Sequence, residues 1–303
     1  MFRRSTIFWP LALLCVCFLH AQRREPEVYS PLGKAYFARP DAGEVAKADI
    51  TLHKAGETAD GLLAAATARD QLLRFSESIP IYTRGMQAFP DDVRFPRYRG
   101  HRLISLRRFD AALADLKLAS GLAPSSFEVS YYLGLAYYFH GDFNHAAREY
   151  NRCLVMASQP RPEVERGLPK DWRSCYSLDD DSRVALTDWA YRALRRAGKT
   201  AEAKALLDRI TDGVVVKENM SYLRALQVYK GLKRDEDVLA GPLTGSAFAS
   251  TGYGLSVFYM LEGQKEKACT LLERIVSDDT WSAFGLIGAE TDLSRGVCGS
   301  KGK

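Results

Sequence analysis

The sequence predicts an all-α protein, an α-α superhelix of stacked helical pairs, from three observations. Phe75, Phe109 and Phe143 recur every 34 residues. Small residues recur with them, Ala66, Gly100 and Gly134 at one phase and Ser78, Ala112 and Ala146 at another, and Pro90 and Pro124 close the first two units. A fixed period of this size marks a repeat whose single unit cannot bury its apolar stripe alone, so neighbours must stack and share a core.

The chain opens with Arg3 and Arg4, an apolar run from Ile7 to Leu19 and the small Ala21. That order is the layout of a secretory signal peptide over 1–21. The run falls short of the roughly 20 apolar residues of a membrane span and carries Pro10. The expectation is an exported chain, periplasmic or secreted, with no stable membrane insertion after cleavage. The formal charge of +5 includes Arg3 and Arg4, and so small a surplus argues against a nucleic-acid partner.

Residues 22–57 are expected to form packed coil over 29–39 and then a capping helix, begun by a capping box of Asp41 and Glu44. Three units follow over 58–158, at 59–92, 93–126 and 127–158. In each, Tyr82, Leu116 or Tyr150 follows the second small residue by four places, and Gly85, Ala119 or Cys153 comes next. A small residue on each helix lets the two backbones approach, while the bulky residue fills the space beside the crossing.

The period fails between Gln159 and Asp181, where Pro160, Pro162 and Pro169 predict an inserted loop, 159–181. Loops longer than about 12–15 residues in a compact fold are usually functional or disordered. Trp172, Cys175 and Tyr176 favour partial order. From 182 to 280 the units are degenerate but in phase: Gly141, Gly198 and Gly263 end first helices, and Ala146, Ala203 and Ala268 follow five residues on. Glu218 to Lys230 and Lys233 to Ala240 read as an imperfect pair. Trp281, Phe284, Ile287 and Leu293 predict an amphipathic capping helix over 281–295, with a loose tail, 296–303.

The slots resemble the tetratricopeptide-repeat (TPR) family, whose pattern runs Leu-Gly-x-x-Tyr, then Ala-x-x-x-Phe, then Pro. The middle units, YRGHRL…FDAALADLKLASGLAP and YYLGLAYYFHGDFNHAAREYNRC, carry the likeness. The resemblance implies a right-handed solenoid whose concave face is lined by the first helix of each pair. Arg94, Arg97, His101, Tyr131, Tyr138, Arg192 and Arg195 fall at those places. Such a basic, aromatic groove would bind a protein or extended peptide, an acidic one suiting it, as a non-catalytic scaffold or adaptor. The alternatives are an enzyme acting on envelope polymers, with 159–181 as its lid, and a self-assembling envelope component.

Chemistry-bearing patterns are otherwise sparse. No histidine sits in an HExxH frame and no CxxC occurs, so neither a metal nor a cofactor is expected. His140, Asp142 and His145 read as a helix–helix turn, and Asp179, Asp180 and Asp181 as helix-capping residues. Cys153, Cys175, Cys269 and Cys298 are even in number and allow three pairings. Cys153 with Cys175 would tie the insertion, and Cys269 with Cys298 would pin the tail; in each case free thiols are the alternative.

Overall fold

A computed structural model describes residues 25–211 and 213–299. The expected signal peptide and residues 300–303 of the tail lie outside them. A two-stranded hairpin, β1 (Val28–Tyr29) and β2 (Ala35–Tyr36), precedes fourteen α-helices among the described residues. The first pairs are α2 (Ala59–Gln71) with α3 (Phe75–Ala88), α4 (Arg94–Ser105) with α5 (Phe109–Leu122), and α6 (Phe127–His140) with α7 (Phe143–Met156); α1 (Glu44–Ala55) packs ahead of them. After the insertion come α8 (Asp180–Arg196), α9 (Thr200–Leu207), α10 (Met220–Tyr229), α11 (Asp235–Leu239), α12 (Gly245–Leu261), α13 (Lys265–Val276) and α14 (Phe284–Ser294).

Local sequence sets the helix ends. Thr58, Ser126, Asp142 and Asp179 each cap a helix, accepting from the backbone amides of Gly61, Val129, His145 and Ser182, worth about 1 kcal/mol apiece. Gly141, Gly198 and Gly263 close α6, α8 and α12 in the left-handed region, at φ 100, 76 and 76°. Leu73 and Arg107 stand two and one repeats before Gly141 and adopt the same conformation, φ 58 and 60°, without glycine's freedom. Of the three aspartates expected to cap α8, Asp179 does so and Asp181 binds elsewhere. Asp181 accepts the amides of Lys217, Glu218 and Asn219 at 3.0, 2.9 and 2.7 Å, tying the α9–α10 connection to the start of α8.

The recurring small residues lie where helices cross. A Cβ on Gly100 would stand 2.6 Å from Leu116 Cγ, and one on Gly134 would overlap the Tyr150 ring. Glycine therefore permits the approach that Leu116 and Tyr150 fill. One apolar core runs from Tyr36 through the stacked pairs to Ala289, with a smaller cluster around Leu62, Tyr82 and Phe95 at the first pair.

Two expectations need correction. Residues 29–39 are not coil: Val28 pairs with Tyr36 and Tyr29 with Ala35. Ser30 Oγ accepts the amides of Leu32 and Lys34, and Gly33 takes φ 85°, which closes the turn of SPLGK. Nor is α14 a one-sided cap, since Gly285 through Asp292 are all buried.

The insertion is ordered along the α5–α6 turn. Phe127 N donates to Arg173 O at 2.9 Å and Cys175 N to Ser125 O at 2.7 Å, and a disulfide joins Cys175 to Cys153 on α7. A second disulfide joins Cys269 on α13 to Cys298.

Candidate interaction site

α14 lies against the first helices of several pairs, packing on α12 and reaching α6. Gly285 and Gly288 allow the approach, for a Cβ there would overlap the Ala249 backbone or the Tyr253 ring. Phe284 meets the rings of His101, Tyr131, Tyr132 and Phe139. Its two buried acids find arginines at the C-terminal ends of α4 and α8. Glu290 accepts from Arg107 at 2.6 Å and from the Tyr36 hydroxyl at 2.6 Å, and Asp292 pairs with Arg196 while accepting from Tyr253 at 3.1 Å. The basic, aromatic inner face thus holds an acidic helix belonging to the chain itself.

This placement corrects the expected open groove. Tyr131 is buried and shares a 2.7 Å hydrogen bond with Tyr222, and Tyr138 is enclosed by Phe143, Trp189 and Tyr253. Arg192 is sealed in an ion pair with Asp188 and lies over the Trp189 ring at 3.6 Å. Burial raises the Asp188 carboxyl, and the adjacent guanidinium opposes that rise. Arg94 is held by Asp92 and Asp60, and Arg195 by Glu262 and Tyr191. Arg97, 8% exposed, stands 4.4, 4.5 and 5.2 Å from the rings of Tyr98, Tyr132 and Trp172, with Nε lacking an acceptor.

His101 remains in contact with open space. It stacks on Tyr132 at 4.2 Å, its Nδ1 has no partner, and burial, then Arg102 and Arg97, hold its pKa well below the ordinary value. The imidazole is therefore neutral. It lines a cleft of about 700 Å³ shared by the hairpin (Ala35, Tyr36, Phe37, Arg39), the start of α12 (Ser246, Ser250) and the strap 279–284 before α14. A volume of this order suits a ligand or a short peptide segment.

The cleft exists because the hairpin meets the segment that precedes α14. Tyr36 stacks on Trp281 at 5.8 Å, Trp281 Nε1 donates to Phe37 O at 3.3 Å, and Lys34 reaches Asp278 O at 2.8 Å. Sequence reasoning found His101 but missed the hairpin and strap, which lie outside the repeat. The P-L-G-K turn between Tyr29 and Tyr36 was the available signal.

No histidine, cysteine or acidic cluster among the described residues has the arrangement of a metal site, and no described helix is long and apolar enough to cross a membrane. No family model and no curated protein matches the chain. Among solved structures, a tetratricopeptide repeat protein from Parabacteroides merdae is similar at TM-score 0.52 and 13% identity, covering 80% of this chain and 90% of that one. The structure of Naa15/Naa10 bound to HypK-THB aligns at TM-score 0.37 and 15% identity, over 81% of this chain and 36% of that one. Paired helices crossing at recurrent small residues, stacked in chain order, give this protein the all-α solenoid fold of tetratricopeptide-repeat proteins.

Proposed function

We propose that the chain is a non-catalytic interaction scaffold that receives a protein or extended peptide, and that it works outside the cytoplasm, in the periplasm or as a secreted protein. The observation that carries the binding reading is the cleft of about 700 Å³, assembled from the hairpin, the start of α12 and the segment before α14 beside the His101 imidazole. The inner face beyond it is filled by α14, so a guest has this opening rather than the whole groove. Phe37, 45% exposed, gives it an apolar rim of the kind that anchors interfaces. Export is supported by the charged and apolar order of residues 1–21 and by two disulfides, which persist in oxidising compartments.

The test is site-specific photo-cross-linking in intact cells from position 37. Discrete adducts are expected, and they should vanish when Ser250→Trp fills the cleft. Adducts of unchanged pattern and yield in Ser250→Trp would refute this site. Fractionation of the same cells checks the compartment; a wholly cytoplasmic, reduced chain contradicts export.

A further inference from the structure

The hairpin presents a partly unused strand edge to the cleft, paired within the chain only farther along, where Arg39 N donates to Leu72 O at 2.7 Å. In an antiparallel pair, hydrogen-bonded and non-hydrogen-bonded positions alternate. Ser30 N donates to Lys34 O at 2.8 Å, so Ser30 and Lys34 form a bonded position, and the next pair, Tyr29 with Ala35, is a non-bonded one. The N–H and C=O of Ala35 therefore point away from β1. Phe37 lies two residues on and points the same way, and its carbonyl is taken by Trp281 Nε1. Ala35, Phe37 and Trp281 all line the cleft, which places this edge on its wall.

Exposed edges are templates for another strand, and proteins usually cover them or blunt them with charge. Here the edge is flanked by a hollow instead. The hollow is lined by the hydroxyl-bearing side chains of Ser246, Ser250 and Ser282. Its aromatic lining comes from Tyr36, Phe37, Trp281 and Phe284. Arg39 and Asp279 at the rim are opposite in sign, and the floor carries no net charge. A main-chain edge with neutral, partly aromatic pockets beside it fits an extended peptide, whose backbone bonds to the edge while alternate side chains enter the cleft.

We propose that an extended, uncharged peptide segment of a partner binds by strand addition to β2, pairing with the Ala35 N–H and C=O and the Phe37 N–H. The inference rests on the scaffold reading and specifies how the guest is held. The neutral lining selects apolar or hydroxylated side chains at every second position of the guest.

Ala35→Pro tests it. Proline removes the outward N–H, which β1 does not use, and is tolerated at strand edges. Tyr29→Pro makes the same change on the opposite edge, away from the cleft. A phage-displayed library of random dodecapeptides would be selected on the disulfide-intact wild-type chain, and the enriched peptide synthesised. At saturation the Ala35 amide should exchange with deuterium at least tenfold more slowly. Ala35→Pro should weaken binding at least tenfold, Tyr29→Pro less than twofold, and Ala35→Gly, which keeps the N–H, less than threefold. A peptide that depends on Ser250 while the Ala35 amide exchanges at its free rate, or that binds Ala35→Pro as tightly as wild type, overturns strand addition and leaves the scaffold reading standing. A library that yields no binder overturns both.

Discussion

Removing one carboxylate from α14 isolates the energetics of the closure. In Glu290→Leu, Arg107 keeps a guanidinium only 6% exposed with no carboxylate, and the Tyr36 hydroxyl loses its 2.6 Å acceptor. Breaking a buried pair from one side costs about 3–5 kcal/mol, because an uncompensated charge stays behind. At roughly 2–4 °C per kcal/mol for a chain of this size, the midpoint should fall by about 6–20 °C. Removing both partners removes the stranded charge, so Arg107→Leu/Glu290→Leu should recover at least about 1–3 kcal/mol of the summed single losses. Recovery will be incomplete, since Arg107 also donates to Trp281 O at 2.9 Å. Urea denaturation followed by far-ultraviolet circular dichroism gives the global cost, and tryptophan fluorescence reports the detachment of Trp281. A cost below about 1 kcal/mol for Glu290→Leu, the range of ordinary surface changes, or a double variant equal to the sum of the singles, would refute the account.

The same packing leads to three further outcomes. His101 is held well below the ordinary 6.5, so the unfolded chain binds the extra proton; stability should be full above that value and fall as pH drops through it, by up to about 1.4 kcal/mol per unit. His101→Phe should flatten the curve between pH 5 and about 6.5, and an unchanged slope contradicts the assignment. Gly121, in α5 with nothing within 4 Å of an added Cβ, should accept alanine with a gain of about 0.5–1 kcal/mol, whereas Gly134→Ala meets Tyr150 and should lose about 1–3 kcal/mol; thermal midpoints moving the same way in both would count against the crossing geometry. Cys153→Ala/Cys175→Ala opens a link of sequence separation 22 and should cost roughly 3 kcal/mol, with trypsin cutting after Arg166 or Lys170 within minutes instead of hours.

The repeat units were legible because their causes are local and periodic. Phe75, Phe109 and Phe143 begin α3, α5 and α7, and the glycines expected at crossings stand there. The imperfect pair expected over 218–240 is α10 with the five-residue α11. What could not be read is set by contacts between distant segments. Tyr36 and Glu290 lie 254 residues apart, and nothing in either neighbourhood encodes the other. The apolar spacing of α14 suggested one buried stripe; its glycines and the two acids that find arginines allow burial on nearly every side. Tyr131, Tyr138 and Arg192 stand on first helices, but neighbouring elements cover them: Tyr222 of α10 takes the Tyr131 hydroxyl, Phe143, Trp189 and Tyr253 enclose Tyr138, and Asp188 pairs with Arg192.

The late position of α14 has a consequence for biosynthesis. Ordinary arrays of helical hairpins can consolidate one hairpin after another as the polypeptide lengthens. Here Arg107 and Arg196 wait for acids supplied by α14, made 183 and 96 residues after them, and Tyr36 waits for the same helix. A nascent chain arrested before residue 281 carries stranded cations and an unfilled interior, so it is a ready client for chaperones and proteases. Docking of α14, rather than completion of any one hairpin, is the step that joins the distant segments into one cooperative unit.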